Sequence, residues 1–211
     1  MDSTVNIIGA TTSVRRKRRK APADRRQDLL DVAVFCLARM GPREATGREV
    51  CRQAGVSHGL LRHYFSSPDQ LFVEAYKDLC DRYLAEFERR LTDERDDPWA
   101  GLDDFFEVLF SKPWSGPELL GAWTAFWTLT RSDEAFAAVN AGYNRRLGEL
   151  LERALRRLPA RPAAGLDYDS AGKILASVMD GLWLELCLRP ASAKRAEAAE
   201  LCRLTVRRLM E

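Results

Sequence analysis

The sequence predicts an all-α protein, and three observations predict it. Apolar residues recur at helical spacing in almost every segment, helix-start signals precede those stripes, and no segment alternates as a half-buried strand would. Leu29, Val32, Ala33, Cys36, Leu37 and Met40 fall at i, i+3, i+4, i+7 and make one face of a first helix. Gly41 and Pro42 end it. Thr46 with Glu49 matches a capping box and starts a short helix that Ala54-Gly55-Val56 breaks. Ser57 caps another, running through Phe65. Ser67, with Pro68 at the first helical position and Gln70 closing a second box, opens a fourth helix reaching about Leu91.

The second half continues in the same style. Asp97-Pro98 opens a helix striped by Leu102, Phe105, Phe106, Leu109 and Phe110. Residues 111–117 read as a loop, and Pro117 starts an aromatic-rich helix. Ser132 is expected to cap a long helix to about Leu158, with a plain linker from Pro159 to Asp167. Two last helices, 168–189 and 193–210, are divided by Arg189-Pro190. The total is nine helices.

Composition narrows the class. With 211 residues, 46% of them hydrophobic, the chain can build one large domain or two small ones. No apolar run approaches the roughly 20 residues that span a bilayer. The basic cluster Arg15 to Lys20 has no apolar stretch behind it, so no secretory signal is expected. Cys36, Cys51, Cys80, Cys187 and Cys202 are scattered without a CxxC pair, against both a disulfide framework and structural zinc. A cytoplasmic protein without metal or cofactor is expected. Residues 1–66 carry 13 Lys and Arg against 6 Asp and Glu, a net of +7, while the remainder is net −5. A basic first third on an acidic body suits one end meeting a polyanion, although a solvated basic tail would give the same asymmetry.

The 46–65 block is the sharpest signal. Two short helices joined by a tight turn at Gly55 describe a helix-turn-helix, and also fit an ordinary αα-corner. Leu61 and Phe65, four apart, anchor the second helix inward, so His58, Gly59, Arg62 and His63 face outward. Glycine inside a helix costs roughly 1 kcal/mol against alanine. Its use at Gly59 makes sense if something large approaches the backbone there. Arg62 offers a fork of donors to guanine or phosphate, and Ser57 can hold a phosphate.

This block, with Ala54-Gly55-Val56-Ser57 and His63-Tyr64-Phe65, resembles the DNA-binding domain of the TetR family of bacterial transcription regulators. Residues 1–22 hold the Arg/Lys cluster without an apolar stripe and are expected to form a disordered basic leader, while the resemblance implies a DNA-binding domain over 23–83 with the helix-turn-helix near 47–66. A ligand-binding and dimerisation domain follows over 84–211. Thr46, Arg48, Ser57, His58, Gly59, Leu60, Arg62, His63 and Tyr64 are the implied DNA-contacting set. Ala122-Trp123-Thr124-Ala125-Phe126-Trp127, Arg145-Arg146-Leu147 and Asp180-Gly181-Leu182-Trp183-Leu184 resemble one branch, the choline-responsive regulators of the betaine pathway. A homodimer on a palindromic double-stranded operator, released by a small-molecule effector, is implied. Two positions depart from the family pattern. Pro68 stands where a phosphate-contacting Lys is usual, and Gly47 stands where an apolar residue commonly follows the Thr cap. The Arg/Lys leader is the candidate to supply the missing phosphate contact.

An enzyme is not expected. His58 and His63, the only histidines, are five apart and on different helix faces, and no phosphate loop or nucleophile elbow appears. Trp123, Phe126, Trp127, Tyr143, Asp180 and Trp183 are the candidate effector residues, with aromatic faces suited to a quaternary ammonium cation and Asp180 as counter-charge. The aromatic stripe is equally at home in a core. Leu175, Val178, Met179, Leu182 and Leu186, with Leu201 and Thr205 of the closing helix, are the candidate dimer interface. The alternative function is a DNA-binding adaptor of the same fold whose second half binds a protein and no small ligand.

Overall fold

In the computed structural model the described residues are 22–92, 97–189 and 194–211. Regular structure among them is helical: α1 (Pro22–Glu44), α2 (Gly47–Ala54), α3 (His58–Tyr64), α4 (Pro68–Leu91), α5 (Pro98–Phe110), α6 (Lys112–Ser115), α7 (Pro117–Thr130), α8 (Glu134–Arg156), α9 (Tyr168–Leu188) and α10 (Arg195–Leu209). The nine expected helices are present. The tenth element, α6, is a single turn inside the segment read as a loop. Of the expected leader, only Pro22 lies within the described residues. The chain divides into two compact units. The first ends at Cys80 and takes in Gly121–Asn140, and the second comprises Asp81–Leu120 and Ala141–Glu211.

In the first unit, α1 buries Leu29, Leu30, Ala33, Val34 and Leu37 along its apolar stripe. Gly41 takes a left-handed φ of 72°, so Pro42–Glu44 form a separate last turn. At Gly121 a Cβ would stand 2.9 Å from the Ala38 carbonyl oxygen, so the missing side chain lets α7 lie close on α1. Tyr76 of α4 centres the aromatic core. It stacks on Phe126 at 4.4 Å, meets Trp123 edge-on at 5.8 Å, and donates its hydroxyl to Asn140 Oδ1 at 2.8 Å. Arg26 pairs with Glu74, and the Gln27 amide donates to Asp78 at 2.9 Å.

In the second unit, α10 packs on α5 and α9. Arg203 ties α10 to α5 through Asp103 at 3.0 Å and through Glu107. Tyr83 meets Trp114 edge-on at 4.9 Å and donates its hydroxyl to the Trp114 carbonyl at 2.7 Å. Ser115 beside it is fully buried and accepts from Arg195 Nε at 3.0 Å, which fixes the α6 turn against the start of α10.

The cap chemistry departs from expectation at three places. Asp133, not Ser132, caps α8, accepting from Ala135 N–H at 2.8 Å; a carboxylate outcompetes a hydroxyl for helix donors. Thr46 does accept from Glu49 N–H at 3.3 Å, but the Glu49 carboxylate turns to Arg52 and Gln53. Gln70 reaches the Ser66 N–H at 2.8 Å, one residue beyond the cap. The 159–167 linker is not plain either. Arg161 and Glu211 exchange backbone hydrogen bonds at 2.9 and 2.8 Å, pinning it to the C-terminal residues.

Candidate functional site

The outward set of α3 follows from how the short helices are held. Gly55 adopts a left-handed φ of 63°, and the following Val56 N–H reaches the Cys51 carbonyl at 3.0 Å, closing α2. Ser57 caps α3 by accepting from Leu60 N–H at 3.2 Å. Leu61 and Phe65, each 1% exposed, anchor the helix in the first unit. Ser57, His58, Gly59, Arg62 and His63 are therefore exposed, with Leu60 and Tyr64 half-buried, as the four-residue spacing requires. Thr46 and Arg48 are exposed on the α2 side. The His63 ring meets Tyr64 edge-on at 5.1 Å.

Gly59 is informative because nothing among the described residues requires it. Its φ is not positive, and a Cβ there would meet only the Ser57 hydroxyl at 3.8 Å. The charged side chains also divide. The Arg52 guanidinium is held by Glu49, whose carboxylate accepts from Nε at 2.7 Å; hydrogen bonds from Arg52, then Gln53, hold Glu49 down at about 2. Arg48 and Arg62 form no ion pair with any described residue, so their charge is available to a partner. The DNA-contacting set implied by the resemblance holds Arg48 and Arg62 and leaves out Arg52, in keeping with Glu49 three residues before it.

The six aromatic and acidic candidates fall in different units. Trp123 and Phe126 are buried around Tyr76, and Trp127 is half-buried, 6.2 Å from the Trp123 ring, all in the first unit. Tyr143, Asp180 and Trp183 belong to the second, where Tyr143 is half-buried. The Trp183 ring, 6% exposed, stands edge-on to Tyr83 at 5.9 Å, and its buried indole N–H has no acceptor among the described residues. Asp180, one turn earlier on α9, keeps access to solvent, yet protein crowds its carboxyl and this desolvation pushes it up to about 6. No cation among the described residues pairs with it. Tyr76 and Tyr83, which organise the two aromatic groups, are not among the candidate residues of the sequence.

The expected interface residues also divide. Leu175, Met179 and Leu186 are buried in the chain's own core and have no area left to offer a second copy. Val178, Leu182 and Thr205 are half-buried, and Leu201 is 41% exposed. The open apolar residues beside them are Ile174, Leu184 and Leu188 on α9 and Leu204 on α10. Cys36, Cys51 and Cys202 are free, buried thiols, Cys80 is buried, and the Cys187 side chain lies outside the described residues.

A basic, outward-facing helix-turn-helix on an all-α scaffold defines a DNA-binding transcription regulator, and the comparisons with known proteins agree. Residues 29–75 match the tetR family of bacterial regulatory proteins, and residues 98–211 match the C-terminal domain of BetI-type transcriptional repressors. The chain belongs to the TetR family, with a BetI-type C-terminal half. It is 32% identical over 181 residues to the regulator BetI 2 of Chromohalobacter salexigens, covering 84% of each chain. The BetI regulator of Agrobacterium fabrum is 31% identical over 178 residues, again 84% of each. Among solved structures, a transcriptional regulator from Pseudomonas aeruginosa PAO1 aligns with a TM-score of 0.79 at 32% identity, over 90% of this chain and 91% of that one. A regulator from Saccharomonospora viridis, solved in complex with choline, shares the fold at a TM-score of 0.76 and 15% identity, over 89% and 98%. No helix of the described residues is long and apolar enough to cross a membrane.

Proposed function

We propose that α3 docks in the DNA major groove, with Arg62 and His58 at base edges and Ser57, His63 and Tyr64 on phosphates. Thr46 and Arg48 approach the backbone from the α2 side, and Leu60 meets the groove wall. The observation that carries this reading is Gly59, whose side chain is absent from an open helix face where no described residue stands in the way of one. Residues 23–83 act as the DNA-binding domain and 84–211 as the effector and dimerisation domain of a cytoplasmic repressor without catalytic activity. The working form is a homodimer on a palindromic operator, since two-fold pairing sets two recognition helices a whole number of DNA turns apart. The exposed Ile174, Leu184, Leu188, Leu201 and Leu204 supply the apolar surface for that pairing.

Effector release is assigned to Asp180 and Trp183. An unpaired, crowded carboxylate one helical turn from a buried indole with an unused N–H suits a small ligand that is cationic at one end and carries an acceptor oxygen. The choline bound by the Saccharomonospora viridis regulator has both features. The adaptor alternative draws on Leu188, 70% exposed, as a docking point for another protein. The test of the DNA reading is Arg62→Ala, measured on a duplex that the wild-type protein selects from a random pool and on an unselected duplex. Affinity for the selected duplex should fall by about 1–3 kcal/mol, and discrimination between the two should shrink. Equal loss on both would move Arg62 to the backbone.

A further inference from the structure

Gly47 and Pro68 are the two departures from the family pattern, and the fold places them against each other. Gly47 opens α2 and Pro68 opens α4. A Cβ built on Gly47 would stand 2.9 Å from Pro68 Cβ and 3.0 Å from Cγ, closer than packed carbon atoms approach. The φ of Gly47 is not positive, so backbone conformation does not demand glycine there. The residue is buried, and the proline ring occupies the space its side chain would need. Pro68 suits its own position, because the first turn of a helix needs no N–H from it and its φ is already fixed. Both turns are stiffened by their caps, Thr46 accepting from Glu49 N–H at 3.3 Å and Ser67 from Gln70 N–H at 3.0 Å.

The chain between these two residues is α2, the Gly55 turn and α3. Its two ends therefore meet, and α3 is carried on a closed segment rather than on an arm. We infer that the Gly47–Pro68 contact positions the helix-turn-helix for DNA reading. The ring seated on the Gly47 backbone sets the angle at which α2 leaves the first turn of α4, and that angle presents both Arg48 and the outward face of α3. Neither residue touches a base. The inference rests on α3 being the DNA-reading helix, and it replaces a charged backbone contact at position 68 with a steric one.

The experiment is a double-mutant cycle on the full chain: wild type, Gly47→Ala, Pro68→Gly and the double variant, with Gly47→Ala/Pro68→Ala as a steric control. Each is measured for affinity to the duplex selected by the wild type, for affinity to an unselected duplex, and for thermal stability. Gly47→Ala should weaken binding to the selected duplex by about tenfold and narrow discrimination, because contacting residues couple. On the Pro68→Gly background the same change should cost less than about twofold, since both clashing carbons are gone. Pro68→Ala keeps its Cβ and should not rescue. Equal losses on both backgrounds, or a loss of melting temperature with discrimination intact, overturns the inference. Arg62→Ala is run alongside. If it leaves discrimination unchanged, the reading of α3 fails and the inference falls with it; if it narrows discrimination while Gly47→Ala does not, the inference fails alone.

Discussion

Helices α3 and α9 each carry residues that the chain's own packing does not use, but of opposite kinds. On α3 they are exposed, small or cationic, and follow directly from two buried anchors, Leu61 and Phe65. On α9 they are a crowded carboxylate, a buried indole N–H without an acceptor among the described residues, and an open apolar edge at Ile174, Leu184 and Leu188. A seven-residue helix with one buried face has only one way to point the rest outward. A 21-residue helix that sends Leu175, Met179 and Trp183 inward shares its remaining surface among several tasks. On a long helix, unused polar atoms and open apolar edges therefore mark function better than residue type does.

The largest effect is expected at the apolar edge. Leu201→Glu with Leu204→Glu changes residues already open in the single chain, so folding should persist. Sedimentation should report monomers, and operator affinity should fall by about a hundredfold or more as bivalent binding is lost. A folded dimer with undiminished affinity would place pairing on other helices. A smaller effect sharpens the polar side. The Asp180 carboxyl, raised to about 6 by desolvation, is charged above that value and neutral below it. Choline keeps its charge throughout, so its affinity should rise between pH 5 and pH 7. Asp180→Asn should flatten that rise and weaken binding at pH 7 by about two- to fivefold, the scale of a partly solvated ion pair. Titration calorimetry with choline alone checks both, and a pH-independent affinity in the wild type removes Asp180 from the site.

How far the sequence could be read follows the same division. Periodicity located all nine longer helices, because each buries one stripe and its caps are local. The outward face of α3 was legible for that reason. What periodicity does not show is whatever depends on residues far apart in the chain. Leu175, Met179 and Leu186 form a stripe that looks spare in isolation, yet they are buried inside the chain. Trp123 and Phe126 gather around Tyr76, whose role is invisible in its own helical spacing. The Gly47–Pro68 abutment appeared only as two unexplained departures, and the pinning of Arg161 to Glu211 not at all.

Whether the outward face of α3 is shaped for DNA rather than for the chain itself is decided by Gly59→Ala. The added methyl has open space and ordinary backbone geometry, so the helix should gain roughly 1 kcal/mol and the melting temperature should rise by a few degrees. If DNA approaches the backbone there, the same methyl must weaken binding to the selected duplex. Higher stability with lower affinity is the predicted result, and higher stability with unchanged affinity contradicts it.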